Sequence, residues 1–455
     1  MQRYFSKQEK KLINNSVVNI VIIAWSLVIP LTAEASMATS GVITEKEAVA
    51  KALASNPRIA GMQSRAEAMS HIPSQAGALP DPVLSLNALN LPTDSFSTTQ
   101  ENMTQLQVGV SQTIPFPGKL GLKEEAAMYE ASAANSATGE TILRTVRATR
   151  LTWWNIFYLD RAIATLHRNQ MLLRQFVKIA ETKYKTGQGL QADVLMAQVE
   201  LSKLLDSEIS LRATRRTQVA QFNALLNRPA ETETLLPGNI DEALSQAPDA
   251  ALLRNRAKAK RPLLHAQKSR IGAAHSRRAL AEKGYFPDFT LGAAYGSRNG
   301  INPINGQKRS DLASIKLSMT IPLYAGSKQS SAVEQQKAEA AKEQFYFDDL
   351  NREVDAEIER TLADYQAAYN RASLFKSGII PQASQSVASM LSAYQVNKVD
   401  LLNLINAQIT LYNYETQYWK AISSGKQAWA RMEAAIGEEI SEQFNEESGR
   451  ESGHE

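Results

Sequence analysis

The stretch Leu106 to Lys119, LQVGVSQTIPFPGK, returns as Ile315 to Lys328, IKLSMTIPLYAGSK. In each copy an alternating apolar and polar run ends at Ile-Pro, where proline closes the strand because it has no N–H for a ladder. A small turn carrying Gly118 or Gly326 follows, and then a very long helical pattern opens. Few folds accept a strand that feeds such a helix, and here the plan is made twice. Other landmarks recur in the same order: Asn56-Pro57 with Arg261-Pro262, Pro82-Val83-Leu84 with Pro287-Asp288-Phe289, and Ser111 to Pro115 with Ser318 to Pro322. Tyr184, Ala197-Gln198 and Leu201 meet Tyr394, Ala407-Gln408 and Leu411 at constant spacing. The repeating unit is helix, strand, loop, strand, long helix, turn, helix. The expected divisions are 1–35 signal peptide, 36–230 first unit, 231–250 linker, 251–436 second unit and 437–455 tail.

Within the first unit, Thr44 and Glu47 stand at capping-box spacing before an amphipathic helix that Asn56-Pro57 interrupts. Leu84, Leu86 and Ala88 alternate with Ser85 and Asn87, and Leu106, Val108 and Val110 alternate with Gln105, Gln107, Gly109 and Ser111. Each run reads as a two-faced strand. A helix of some sixty residues, 122–185, spans on the order of 90 Å and needs helical neighbours along its whole length. Trp153, Trp154, Phe157, Leu166, Leu173 and Phe176 mark its apolar positions. A tight turn at 184–189 returns the chain as a second helix, 191–227, which must pack beside the first. A short helix is expected at 240–245. In the second unit Phe289, Leu291, Ala293 and Tyr295 form one strand face, Ile315, Leu317, Met319 and Ile321 another, and a helix over 331–392 is expected to kink at Gly378 and Pro381. The glutamate-rich tail reads as disordered.

The first sixteen residues are basic and precede the apolar run Val17 to Leu31 and Ala33-Glu34-Ala35. That order predicts a signal peptide cleaved near Ala35; an uncleaved anchor is the alternative, although the run is shorter than the ~20 residues of a span. No later segment reads as a membrane helix, so an exported chain of this kind crosses a bilayer only as a closed β-barrel. Four strands cannot close one, for which about eight is the smallest workable number. Three chains supply twelve. The expected fold is an α+β membrane protein: a trimeric twelve-stranded barrel, four strands per chain, continuous with a helical barrel. The chain has no cysteine and a net charge of +4 without a basic patch, which argues against disulfides, thiolate metal sites and a nucleic-acid partner. It has no phosphate-binding Gly-Lys-Ser/Thr loop and no catalytic constellation, so it does not read as an enzyme and no cofactor is expected.

The duplicated unit and the two hairpin turns, YKTGQGLQADVLMAQ and YQVNKVDLLNLINAQITLYN, resemble the TolC family of trimeric outer-membrane efflux channels. The resemblance spans about Thr44 to Ile436. Within it, GALPDPVLSLNALNLP and MTQLQVGVSQTIPFPGKL are most similar to the heavy-metal branch, the CzcC-like proteins. The resemblance implies a homotrimer in the outer membrane with a periplasmic extension, docked to a membrane-fusion adaptor and an inner-membrane pump of the resistance-nodulation-division class. It implies export of heavy-metal cations; drug efflux or type I secretion uses the same tunnel, and a non-transporting periplasmic helical scaffold is the alternative of another class.

The resemblance places the helix turns at the periplasmic end, where Tyr184, Gly187, Asp193, Tyr394, Asp400, Asn403 and Asn406 fall, with Tyr394 and Asp193 expected to hold the hairpins closed. Asn403 and Asn406 share a helix face at i, i+3. Some family members carry aspartates there, so an acidic ring at that level is in doubt; Asp400 offers charge nearby or serves as a helix N-cap. Leu106, Val108, Val110, Leu291, Ile315 and Leu317 are expected to face lipid, and Gln105 and Gln107 water. His71, His167, His265 and His275 are scattered and His454 lies in the tail, so no metal site is expected.

Overall fold

A computed structural model describes residues 41–440. The signal-peptide expectation and residues 441–455 of the tail lie outside the described residues. The first unit runs α1 (Glu45–Ser55), α2 (Pro57–Ser70), α3 (Ile72–Gly77), β1 (Val83–Leu89), β2 (Gln105–Ile114), α4 (Lys119–Lys185) and α5 (Gln191–Leu225). The second runs α6 (Ala250–Lys260), α7 (Pro262–Glu282), β3 (Phe289–Ser297), β4 (Leu312–Met319), α8 (Ser330–Leu374), α9 (Ile380–Gln395) and α10 (Leu401–Ile436). Thr44 and Glu47 form the capping box, each accepting from the other's backbone N–H at 3.2 and 2.9 Å. Asn56 stays extended between α1 and α2 and caps α2 through Arg58 N at 3.0 Å. Pro57 follows at the first helical position, where a missing N–H costs nothing.

Helix α4 has 67 residues and spans about 100 Å. It persists because its apolar positions are covered: Trp153, Trp154, Phe157, Leu166, Leu173 and Phe176 are all buried. The indole and phenyl rings of Trp153, Trp154 and Phe157 pack with Val219, Phe222 and Ile422 of the returning helices. A second cluster joins Leu253, Leu264, Ile358, Tyr365 and Met432, and a third lies near the helix turns around Leu173, Phe176, Tyr394 and Leu404.

Three expectations change. The kink near Gly378 and Pro381 takes the form of a π-helical turn, Phe375–Ile379, with Pro381 in the first turn of α9. Widening the turn ahead of a proline relieves its clash with the preceding carbonyl. Residues 241–249 are irregular, with no helix at 240–245. There Leu236, Ile240 and Leu244 pack individually onto the bundle, Asp241 Oδ1 takes Ala243 N at 3.0 Å, and Tyr365 Oη donates to Ser245 O at 2.6 Å. A local side-chain turn and one distant hydroxyl meet these backbone groups in place of helical bonds. Finally, the tail expected to be disordered from 437 is packed as far as Ile440, which is buried and donates its N–H to Glu433 Oε1 at 3.2 Å.

Polar side chains tie the ends of each unit to its long helices. Asn56 Nδ2 donates to Leu225 O at 2.9 Å, and Arg261, at the corresponding break between α6 and α7, donates to Ala435 O at 3.0 Å. In both places the break residue holds the last carbonyls of the returning helix. Arg261 is 5% exposed and also meets Glu357 at 2.7 Å and Glu140 at 3.6 Å. Arg150 of α4 pairs with Glu45 of α1, with Glu433 of α10 and with Glu439 beyond it. Burial pushes the carboxyls of Glu45 and Glu433 up despite that guanidinium. Gly437 ends α10 at φ +88°, and a Cβ there would lie 2.9 Å from Arg261 Cα. Arg261→Met removes the cation between two largely buried carboxylates. It should lower stability by roughly 3 kcal/mol, read as a shifted denaturant midpoint in detergent, whereas Arg278→Met, which loses only an exposed i, i+4 pair with Glu282, should stay near wild type.

Candidate functional site at the sheet face and the hairpin tips

The four strands form one antiparallel sheet in the order β1-β2-β3-β4. Register decides what each face carries. Leu86 pairs with Val108, Val108 with Tyr295, and Tyr295 with Ala313; Val110 pairs with Leu84 and Ala293, and Ala293 with Ile315. Opposed residues share a face, so one side of the sheet collects Leu84, Leu86, Leu106, Val108, Val110, Leu291, Tyr295, Ile315, Leu317 and Met319. The other side holds Ser85, Asn87, Gln105, Gln107, Gly109, Ser111, Gly292, Ser314 and Lys316. The six lipid-facing candidates, Leu106, Val108, Val110, Leu291, Ile315 and Leu317, are 47% to 86% exposed, so no described residue covers them. Moving such a face from water to an apolar medium is favourable by roughly 10 kcal/mol or more. The outer edges of β1 and β4 have no strand partner among the described residues.

The sheet joins the helices through one acidic residue whose role the sequence did not signal. Asp288 Oδ1, just before β3, accepts from Phe116 N and from Lys119 Nζ, both at 2.8 Å. Phe116 and Phe286 stack at 4.4 Å beside it. The Pro115-Phe116-Pro117-Gly118 turn of the first unit is thus fastened to the second, with Gly118 at φ +90° starting α4. At the other end of the sheet Arg309, 8% exposed, donates to Thr99 O, Glu101 O and Asn299 O at 2.9 to 3.1 Å and binds the two strand-connecting loops together.

The hairpin tips lie at the far ends of the long helices and are built alike. Gly187 at φ +70° and Asn397 at φ +60° occupy the left-handed position after α4 and α9. Gln188 N returns to Lys183 O at 2.8 Å and Lys398 N to Ala393 O at 2.9 Å, the six-to-one bond of a Schellman cap. Glycine enters this conformation freely and asparagine is the residue that tolerates it next best. Tyr184 is exposed, whereas its counterpart Tyr394 is 4% exposed with its hydroxyl unpartnered. Burial and the nearby Asp193 carboxylate push the Tyr394 phenol up, but no hydrogen bond joins the two. At the tips themselves a bond between hairpins comes from Lys183, whose Nζ donates to Tyr394 O and Asn397 Oδ1 and sits 4.2 Å from the Tyr394 ring centre. Counting 210 residues on from Gly187 reaches Asn397; nothing in the sequence pointed to Lys183. Asp400 takes the N-cap backbone position of α10 without a side-chain cap bond. Asn403 and Asn406 are both exposed on α10, one turn apart.

No group of three or more metal-capable side chains occurs among the described residues. His167 contacts Glu208 at 3.0 Å, and hydrogen bonds from Gln170, His167 and Arg212 pull the Glu208 carboxyl down to about 2. No helix of the described residues is long and apolar enough to cross a membrane. For the tips, Lys183→Met should lengthen and broaden the distance between spin labels at residues 188 and 396, while Lys183→Arg, which keeps the charge, should hold it near wild type.

The family model described as outer membrane efflux protein matches residues 48–228 and 253–438, one match on each unit. Outer membrane efflux protein BepC of Brucella suis is 22% identical over 309 residues, 67% of this chain and 62% of that protein. Alkaline protease secretion protein AprF of Pseudomonas aeruginosa is 21% identical over 281 residues, 61% of this chain and 57% of that one. The chain therefore spans less than two thirds of the curated relatives it matches. Among solved structures, the outer membrane protein VceC of Vibrio cholerae superposes with a TM-score of 0.72 at 17% identity, covering 87% of this chain and 97% of that one. The open-state outer membrane channel MtrE of Neisseria gonorrhoeae gives 0.70 at 15% identity, over 87% and 89%. At these identities the structural likeness establishes the fold, and the family match on both units establishes the kinship: this chain belongs to the outer membrane efflux protein family.

Proposed function

We propose that three copies of this chain close a twelve-stranded barrel in the outer membrane, with their long hairpins forming a tube that reaches into the periplasm. The observation that carries this reading is the exposed apolar sheet face flanked by two strand edges that are unpaired among the described residues. In lipid an open edge strands its N–H and C=O groups, and edge-to-edge pairing of identical chains removes every edge. The polar face, with Gln105, Gln107 and Lys316, then lines an aqueous lumen. The chain is a passive conduit in this reading. An adaptor docks near the tips and an inner-membrane pump of the resistance-nodulation-division class supplies the energy.

Tyr184, Gly187, Asp193, Tyr394, Asp400, Asn403 and Asn406 form the periplasmic end, and the Lys183 tie supports a closed resting state there. Repeated three times, Asn403 and Asn406 make two uncharged polar rings. The cargo we assign is heavy-metal, on the likeness of the strand segments to the CzcC-like branch. The similarity to a protein named for protease secretion favours type I secretion as the second reading, with drug efflux the third.

Val108→Arg should abolish assembly in membranes, since a cation on the lipid face costs roughly 2–4 kcal/mol at the bilayer midplane. Gln107→Arg, on the other face, should assemble normally; equal defects in native-gel trimer yield would count against the barrel. A deletion strain should become sensitive to divalent metals. Sensitivity to lipophilic drugs alone, or a missing secreted protein with normal metal tolerance, would replace the metal assignment.

A further inference from the structure

The seam between α8 and α10 has two different sides. On one, Leu244 of the linker packs against Gly425, and Glu242, Ala243 and Leu244 lie over Tyr369, Ala372, Tyr418 and Ile422. On the other, a 300 Å³ trough is lined by Asp364, Ala367, Ala368, Arg371, Lys420, Ala421, Ser424 and Arg431. Residues 367 and 369, like 420 and 422, stand two apart on their helices and so about 200° apart around the axis. The linker leaves this second side uncovered.

Its chemistry is one-sided. The floor is alanine and serine, which lets a ligand approach the helices closely, and the walls carry three cations against one carboxylate. None of the cations is well paired. Arg371 makes one long bond to Gln417 at 3.4 Å and lies over the Phe375 ring at 5.9 Å, Arg431 lies 3.8 Å from Asp364, and Lys420 has no hydrogen bond or ion pair among the described residues. The stripe of α10 running from the trough toward the tip reads half-buried Gln417 and then exposed Asn413, Thr410, Asn406 and Asn403, without an acid. Unused N–H donors converging on a small-floored cleft are what a carboxylate or phosphate group requires.

We propose that this trough binds a small soluble anion bearing carboxylate or phosphate groups. Where the channel reading holds with the uncovered side of the seam toward the lumen, the trough favours cargo carried in anionic form, including a metal travelling as an oxyanion or a carboxylate complex. The binding itself does not depend on that reading; only its place in transport does.

Calorimetric titration of the full-length protein in detergent at low salt, with citrate and separately with inorganic phosphate, tests it. Binding should weaken at least tenfold in Lys420→Gln and vanish in the triple variant R371Q/K420Q/R431Q. Asp364→Asn should bind more tightly, and citrate against phosphate separates carboxylate from phosphate preference. Helical circular dichroism and elution volume check that each variant is folded. Equal binding by wild type and triple variant, or no binding by wild type, overturns the proposal. In planar bilayers the triple variant should lose anion preference in the reversal potential of a salt gradient. Absence of conductance in both proteins would count against the channel and leave the titration to decide the trough.

Discussion

The segregation of one sheet face from the other governs everything else in this protein. Strand side chains alternate with period two, so a one-residue slip in any of three pairings would place apolar residues among the glutamines. The observed register does not slip. Leu86, Val108 and Tyr295 line up across three strands, and Val110, Ala293 and Ile315 do so beside them. Such a face is costly in water, and the two strand edges that are free among the described residues would be costly in lipid. These two conditions are what the proposed multichain barrel in a membrane would satisfy together.

The helices face the opposite difficulty. A helix of 67 residues gains little from propensity alone and depends on tertiary packing along its whole length. The aromatic cluster at Trp153, Trp154 and Phe157 meets that need midway, and the clusters around Tyr365 and around Leu173 meet it on either side. Buried polar ties then set the register between layers. Asn56 and Arg261 hold the ends of the returning helices, Arg150 gathers the first and last described elements, and Asp288 bolts the helix-strand turn of one unit to the strand of the other.

Much of this was legible. Alternation predicted all four strands and their faces, save that Ile321 lies beyond the end of β4; proline and glycine marked their ends, and the capping-box spacing at Thr44 and Glu47 placed the first helix correctly. The misses have separate causes. The segment 240–245 has helical spacing but is held by side chains from elsewhere in the chain, and the helix break near Pro381 is absorbed by a π-turn rather than a simple kink. Ile440 is packed because Glu433, seven residues back, receives its N–H. At the tips the sequence offers Tyr394 and Asp193 as the pair that holds the hairpins closed, whereas a hydrogen bond across the tips comes from Lys183, an ordinary lysine near the end of a long helix.

What the sequence by itself determined is what depends on neighbours along the chain: which segments are strands or helices, where turns fall, and which strand residues share a face. These follow from backbone sterics and side-chain periodicity, which act over a few residues. Only the tertiary structure decided the pairing of β2 with β3 across some 180 residues, the burial of Arg261 between Glu140 and Glu357, and the tie from Lys183 to Asn397. Each joins groups far apart in the chain, and a charged or polar residue carries no local sign of the partner that folding brings to it.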